Sequence, residues 1–399
     1  MLMAIRKIFI GLIVCTLLIT GSQAFADKRE LDVFLGARGE YNDNIFFTAE
    51  DTVNDFITTL SGGLKFLNQT ERTDLYLSGI VERLIYSDEK DLDATDQYYK
   101  GRFGFKFTER FSARVNAAYS KDSRPDRDVA ESGLILSTVP RQIQNYGGEL
   151  DYALTEITTS NLFYRYTRQD FEPRNVIGDF PDYRAHRAGL GFAHRLDQYL
   201  ANTTGRLNFG YNRFSYPETD TETKVIIGTV GLAYDVTEKW QLLIDVGPDY
   251  YDSEFRVFGD QFKNSGWGGT GTLRITYTGE YTGSSLTAFH GIEPASGRDG
   301  SAQRTSAIFD FFYRFAERGR TGFATGYYVN KANSGELAIL PLDERTFRIR
   351  PWLRFDIIFD KLYLEASYTY SRVDDRIRDN DRSRNLVWLQ LGLDWPIIE

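Results

Sequence analysis

The chain has 399 residues, and its 56 Asp and Glu against 47 Lys and Arg give a formal charge of −9, which argues against a nucleic-acid-binding surface. Its one cysteine, Cys15, lies in an apolar run near the N-terminus, so the rest of the chain has no disulfide framework, thiolate metal site or cysteine nucleophile. Aromatic residues make up 15%, with 35 Gly against 10 Pro and no composition shift along the chain, which suits one large all-β body better than several soluble domains.

Arg6 and Lys7 precede an uncharged apolar run from Ile8 to Ile19, and Ala24-Phe25-Ala26 supplies small residues before Asp27. This is the pattern of a cleaved secretory signal, and it predicts a leader over residues 1–26 followed by a single domain over 27–399. A lipoprotein leader is excluded, because Val14 stands before Cys15 where a small residue is needed. Loss of Arg6 and Lys7, with no acid in the leader, takes the charge from −9 to −11.

Beyond residue 26 no apolar run is long enough for a transmembrane helix. Period-two alternation takes its place. From Tyr99 to Phe107, Tyr99, Gly101, Phe103, Phe105 and Phe107 share one face, while Lys100, Arg102, Gly104 and Lys106 share the other. After Thr108-Glu109-Arg110, Phe111, Ala113, Val115, Ala117 and Tyr119 alternate with Ser112, Arg114, Asn116 and Ser120, which makes a hairpin. The unit recurs from Ile226 to Val246 and from Trp267 through Tyr281.

Short turns are expected near 67–72, 108–110, 155–157, 195–200, 235–239, 278–280, 316–320 and 356–361. Longer polar loops are expected over Ser87 to Gln97, Lys121 to Ile143, Asp170 to Tyr183, Gly291 to Arg304, Lys331 to Asp343 and Arg372 to Ser383. Strict alternation of short and long connections predicts a transmembrane antiparallel up-and-down β-barrel of about 18 strands, with both termini in the periplasm of an outer membrane. Sixteen strands is the alternative, because the stretches near Arg184 and Tyr281 are weakly patterned. A soluble sandwich or propeller also alternates. The leader, the connection lengths and the aromatics beside the short turns (Phe107 and Phe111, Tyr234 and Trp240, Tyr277 and Tyr281, Phe315) oppose it. The last strand sets Val387, Leu389, Leu391, Leu393 and Trp395 on one face, similar to the C-terminal signal read by the barrel assembly machinery, although Pro396-Ile397-Ile398-Glu399 follows the aromatic.

In such a barrel the apolar face meets lipid and lipopolysaccharide, so strand charges should line the pore. Lys100, Arg102, Lys106, Arg114, Arg206, Arg274, Arg314, Asp245, Asp310 and Glu365 fall opposite the apolar set of their strands. The densest row is Arg348, Arg350, Trp352 and Arg354, which alternates with Phe347, Ile349, Leu353 and Phe355. It reads either as a positive, partly aromatic track for anionic or carbohydrate solutes, or as wall arginines paired with acids such as Glu365 on the next strand. The acidic loop residues Asp88, Glu89, Asp91, Asp93 and Asp96 read as a solvated loop before a divalent-cation site. A barrel-embedded hydrolase would need one of His186, His194 and His290, of which the first two share a parity compatible with the inner face. No nucleophile elbow, phosphate-binding loop, zinc spacing or dinucleotide fingerprint accompanies them, and neither enzymatic chemistry, a metal nor a cofactor is expected.

Gly39-Glu40-Tyr41-Asn42-Asp43-Asn44-Ile45-Phe46 ends the first strand. It resembles the Tyr-Asn/Ser-Asp-Asn-Ile-Phe stretch of outer-membrane β-barrels encoded with exopolysaccharide biosynthesis systems, including those linked to PEP-CTERM protein sorting. The resemblance implies a pore for exopolysaccharide export, with polysaccharide or other export components as partners. A general or sugar-selective diffusion porin is the alternative that the residues alone leave open. Read by themselves, Asn42, Asp43 and Asn44 favour a turn at the rim, with Ile45 and Phe46 packing beside it and no solute contact.

Overall fold

The computed structural model describes residues 28–124, 139–172, 180–257, 260–295 and 298–398; the expected leader, residues 1–26, falls outside them. The first nine strands are β1 (Lys28–Asn42), β2 (Asp55–Gln69), β3 (Thr73–Tyr86), β4 (Ala94–Thr108), β5 (Phe111–Asp122), β6 (Arg141–Ala153), β7 (Thr158–Phe171), β8 (Tyr183–Arg195) and β9 (Thr203–Tyr216). The second nine are β10 (Thr221–Asp235), β11 (Trp240–Val257), β12 (Asp260–Thr278), β13 (Thr282–Pro294), β14 (Ser301–Ala316), β15 (Gly319–Ala332), β16 (Leu342–Ile358), β17 (Leu362–Asp375) and β18 (Asn380–Ile398). Each strand pairs antiparallel with the next, and β1 pairs with β18, so the sheet closes into an 18-stranded barrel.

Closure satisfies backbone groups without water, and the side chains follow the same logic. Tyr99, Gly101, Phe103 and Phe105 of β4 stand opposite Tyr119, Ala117, Val115 and Ala113 of β5. This face continues round the ring through Leu64 (55% exposed), Val230 (61%) and Leu389 (52%). A continuous ring of half-exposed apolar side chains is stable only against lipid, which makes this a membrane-spanning barrel. Aromatic pairs such as Phe107 and Phe111 (5.0 Å) and Trp240 and Tyr277 (4.8 Å) lie beside the short turns, the level at which an interfacial girdle sits.

Threonine closes several of those turns by the same local device. The hydroxyl of Thr108 accepts from the amides of Arg110 and Phe111, and that of Thr237 accepts from Lys239 and Trp240. These bonds tie the turn amides back to the start of the turn, the Trp240 amide being shared with the Thr237 carbonyl. At the opposite end the expected strict alternation of lengths does not hold. β9 and β10 are joined by 217–220, and β17 and β18 by 376–379, because these strands run on as hairpins past the apolar belt. The final strand likewise continues beyond Trp395, pairing Pro396 with Asp32 and Ile398 with Leu31 across a bulge.

The stretch Asn42 to Phe47 fastens the barrel's closing seam. Asp43 accepts hydrogen bonds from the amide and side chain of Asn385 on β18, both at 2.7 Å, and the Asn44 amide group donates to the carbonyls of Thr48 (2.7 Å) and Ser383 (3.0 Å). Ile45 then packs with Ile57, Leu84 and Tyr86, and Phe47 packs on Val373. The loop over 43–54 is thereby folded against the inner wall.

Candidate functional site: the lumen

Two more connections enter the barrel at the loop end. Residues after β13 and after β15 bring Ala295, Leu337 and Ala338 into a buried cluster with Tyr183, Phe214, Tyr216 and Val225 of β8 to β10. Asp299 accepts from the hydroxyls of Thr219 (2.7 Å) and Thr221 (3.0 Å), and the Tyr216 hydroxyl donates to the Gly300 carbonyl. Burial raises the Asp299 carboxyl above its usual range, partly offset by those two hydroxyls. From the other side, Arg124 of the β5–β6 connection meets Glu40 of β1 at 2.8 Å. The mouth is therefore narrowed by folded loops with their own apolar packing.

Beneath it, β8 and β13, which are not neighbours in the sheet, are joined across the lumen by Arg187 and Glu293 at 2.5 Å. Beside this strut lies a cavity of about 890 Å³ whose charged lining is Lys65, Lys100, Arg165, Arg187 and Arg304 against Glu82 and Glu293. Tyr76, Tyr98, Asn145, Thr167 and Gln169 add hydrogen-bonding groups. Lys100 and Arg165 have no ion-pair or hydrogen-bond partner among the described residues, Arg165 lying over the ring of Phe163 (5.3 Å), and Arg304 donates to the neutral Asn330 side chain at 3.0 Å in the field of Glu293. Lys65 is paired with Asp394 at 3.7 Å and Arg187 with Glu293, so the charge left uncompensated is chiefly that of Lys100 and Arg165, which can hold an anion at mid-depth.

The register fixes where each candidate residue points. Lys100, Arg102, Lys106, Arg114, Arg206, Arg274 and Arg314 lie on the face opposite the exposed apolar one, as do Asp245, Asp310 and Glu365. Arg102 pairs with Asp74, Arg114 with Glu149 and Arg206 with Asp245, each at 3.0 Å, so these three cations are neutralised by the wall. Lys106, Arg274 and Arg314 have no such partner among the described residues.

Arg348, Arg350, Trp352 and Arg354 occupy one inward face of β16, and the Trp352 ring packs where only Gly322 leaves room: a Cβ there would lie 2.8 Å from it. Arg354 stands opposite Glu365 in the ladder but pairs with Asp356 of its own strand at 3.0 Å and stacks on Tyr363 at 3.5 Å. The row thus lies apart from the cavity, and its Arg354 is committed to the wall.

Histidine parity is corrected. His186 and His194 point outward, because β8 aligns His186 with the lipid-facing Tyr166; His186 meets Tyr164 and His194 meets Thr158, both at 2.8 Å. His290 is held by Thr305 and Gln303. Sequence reasoning missed Arg165, Arg187, Arg304 and Glu293, since it drew its list from strands of clean alternation and took the segment around Glu293 for a loop. Charge within the weakly patterned strand after Tyr183 was the available signal.

No protein-family model matches the chain, and no curated protein matches it. Solved structures similar to it include OccK2 (OpdF) of Pseudomonas aeruginosa, 11% identical, with 94% of this chain and 100% of that chain covered and a TM-score of 0.48. OccAB4 of Acinetobacter baumannii is 10% identical over 93% of this chain and 99% of its own, with a TM-score of 0.47. The alcaligin outer-membrane receptor FauA of Bordetella pertussis is 11% identical over 92% of this chain and 76% of its own, at 0.46.

Proposed function

We propose that the protein is an outer-membrane diffusion channel for small anionic, hydrogen-bonding solutes, with its turns and both termini in the periplasm. The observation that carries this reading is the mid-depth cavity, where Lys100 and Arg165 have no ion-pair partner among the described residues while Lys65 and Arg187 are paired with Asp394 and Glu293, in a chain whose overall charge is −9. Electrostatic focusing by a low-dielectric wall raises the local concentration of ions of the opposite sign. Tyrosine and amide groups around the cations would orient a carboxylated or sugar-like solute. Export of a polymer, implied by the resemblance at Tyr41 to Phe46, is less well supported. That stretch serves the closing seam, and a polymer would have to displace both the packed mouth and the Arg187–Glu293 strut.

The test is reversal potential in planar bilayers under a salt gradient. The wild type should prefer chloride over potassium, and Lys100→Gln combined with Arg165→Gln should shift the ratio toward potassium by several-fold while the barrel stays folded on heat-modifiability gels. A cation-selective wild type, or a folded double variant with unchanged selectivity, would sink the proposal.

A further inference from the structure

The wall has one interrupted seam. β12 pairs with β11 over its whole length, from Trp240↔Tyr277 to Val257↔Asp260, but with β13 only from Thr278↔Gly283 up to Gly271↔His290. Beyond that level the β12 edge over 260–270 has no strand beside it among the described residues. β13 parts from β12 there while staying paired with β14 up to Pro294↔Ser301: Ile292 is buried in the lumenal apolar cluster, and Glu293 reaches Arg187. The last link is a side chain, the Thr270 hydroxyl donating to the His290 carbonyl at 3.0 Å.

The layer at which pairing stops is weak on the other side as well. The ladder between β10 and β11 lacks the pairs between Ile227↔Asp249 and Val230↔Val246, where Pro248 brings no amide hydrogen. Pro248 in turn stands opposite Gly269 of β12. Above this gap β11 pairs again with β10, from Ile227↔Asp249 to Glu222↔Glu254, so the upper β11–β12 hairpin is held on its β10 side, while its β12 edge has no strand partner among the described residues. Thr270 stands eight residues above Thr278. At about 3.4 Å per residue and about 40° of tilt this is roughly 20 Å up an apolar belt of about 25 Å, within the outer leaflet.

The start of the unpaired edge, near Thr270, lies at that depth, where free backbone groups are costly unless something covers them; the rest of the edge rises above the belt. Directly behind it the lumen is apolar rather than wet: Ile292, Phe214 and Tyr216 pack together with Tyr251, the β11 side chain that lies against Gly266. Arg304, which donates to Asn330 and lies in the field of Glu293 without a direct ion pair to it, faces the same space from β14, opposite Gly291.

We propose that the β12–β13 seam is a lateral portal that admits a single-chain anionic amphiphile, such as a fatty acid dissolved in the outer leaflet. Its acyl chain lies along the Ile292–Phe214 cluster and its carboxylate on Arg304. This path enters from the wall and meets the aqueous one at Arg304, which lines the cavity as well.

A diazirine-bearing palmitate in phosphatidylcholine vesicles, photolysed with the reconstituted full chain and mapped by mass spectrometry, tests this. Wild type should carry adducts on Ile292, Tyr251 or Phe214 as well as on lipid-facing residues such as Trp267. Thr270→Cys with Gly291→Cys in a Cys15→Ser background staples the seam, since a Cβ at Gly291 would lie 2.9 Å from the Thr270 oxygen. Oxidation should remove the lumenal adducts at least tenfold, and reduction should restore them. Chloride conductance should persist in both states, which separates failure of the portal from failure of the aqueous channel. Adducts confined to lipid-facing residues in the wild type, or lumenal adducts that survive oxidation, would overturn the portal.

Discussion

Asp122 and Arg141 face each other across β5 and β6 at 3.0 Å, both almost fully buried. Arg102 and Asp74 sit at the same distance with 46% and 37% of their side chains exposed. Distance does not separate these pairs; solvent does. Removing one partner of a buried pair strands a charge and costs about 3 to 5 kcal/mol, whereas a wetted pair is worth about 1 kcal/mol or less. Asp122→Asn should therefore lower the midpoint of urea unfolding in detergent clearly, and Arg102→Gln should leave it close to wild type. Equal shifts would mean that the interior around Asp122 is as wet as the wall around Arg102. The same distinction governs channel function, because neutralised wall cations such as Arg102, Arg114 and Arg206 contribute little field to the lumen, while Lys100 contributes its full charge.

At the scale of elements, the connection between β13 and β14 is held inside the mouth by Asp299 and by the amide of Ser301, which donates to the Leu337 carbonyl at 2.7 Å. Because burial raises the Asp299 carboxyl, the folded loop binds its proton more readily than the unfolded chain does, for which about 3.9 is ordinary. Stability from this group is thus fullest in acid and falls as pH rises from the unfolded value through the raised folded one. Hydrogen-exchange protection at Ser301, corrected for intrinsic rates, should decline from pH 4 to pH 7. Asp299→Asn should flatten the profile and keep the neutral-pH protection high; an unchanged slope in the variant would assign the effect elsewhere.

Elements of this kind also mark the limit of sequence legibility. The wall was readable because period two has only two faces, and lipid accepts one composition of them: residues 99–107 and 111–119 already state their strands, their turn and their facing. The inward loops were not readable, because Ala295, Leu337 and Ala338 sit in polar stretches whose burial depends on a wall many residues away. The charge pairs were equally hidden. Parity puts Arg354 on a face with other arginines, but only the fold shows it turned to Asp356 and Tyr363 rather than to Glu365.

For the whole molecule, an even strand count sends both chain ends to the same side, and the lengths of the connections suggest which side that is. All the inward-folded loops and the continued hairpins belong to the end opposite the Thr-closed turns. The proposed orientation puts the narrowed, packed mouth on the side that meets the environment and the short turns in the periplasm. The assignment can be checked at two exposed acidic residues that take part in none of the lumen contacts above. Glu218 lies in the β9–β10 connection at the loop end, and Glu238 in the β10–β11 turn. In a Cys15→Ser background, Glu218→Cys should react with a membrane-impermeant maleimide on intact cells. Glu238→Cys should react only after the outer membrane is permeabilised. The reverse pattern would turn the barrel over and place the Arg187–Glu293 strut nearer the periplasmic mouth. Equal labelling of both in intact cells would mean that the reagent crosses through the lumen, which a carboxylate-bearing maleimide competing with excess small anions would reveal as saturable entry.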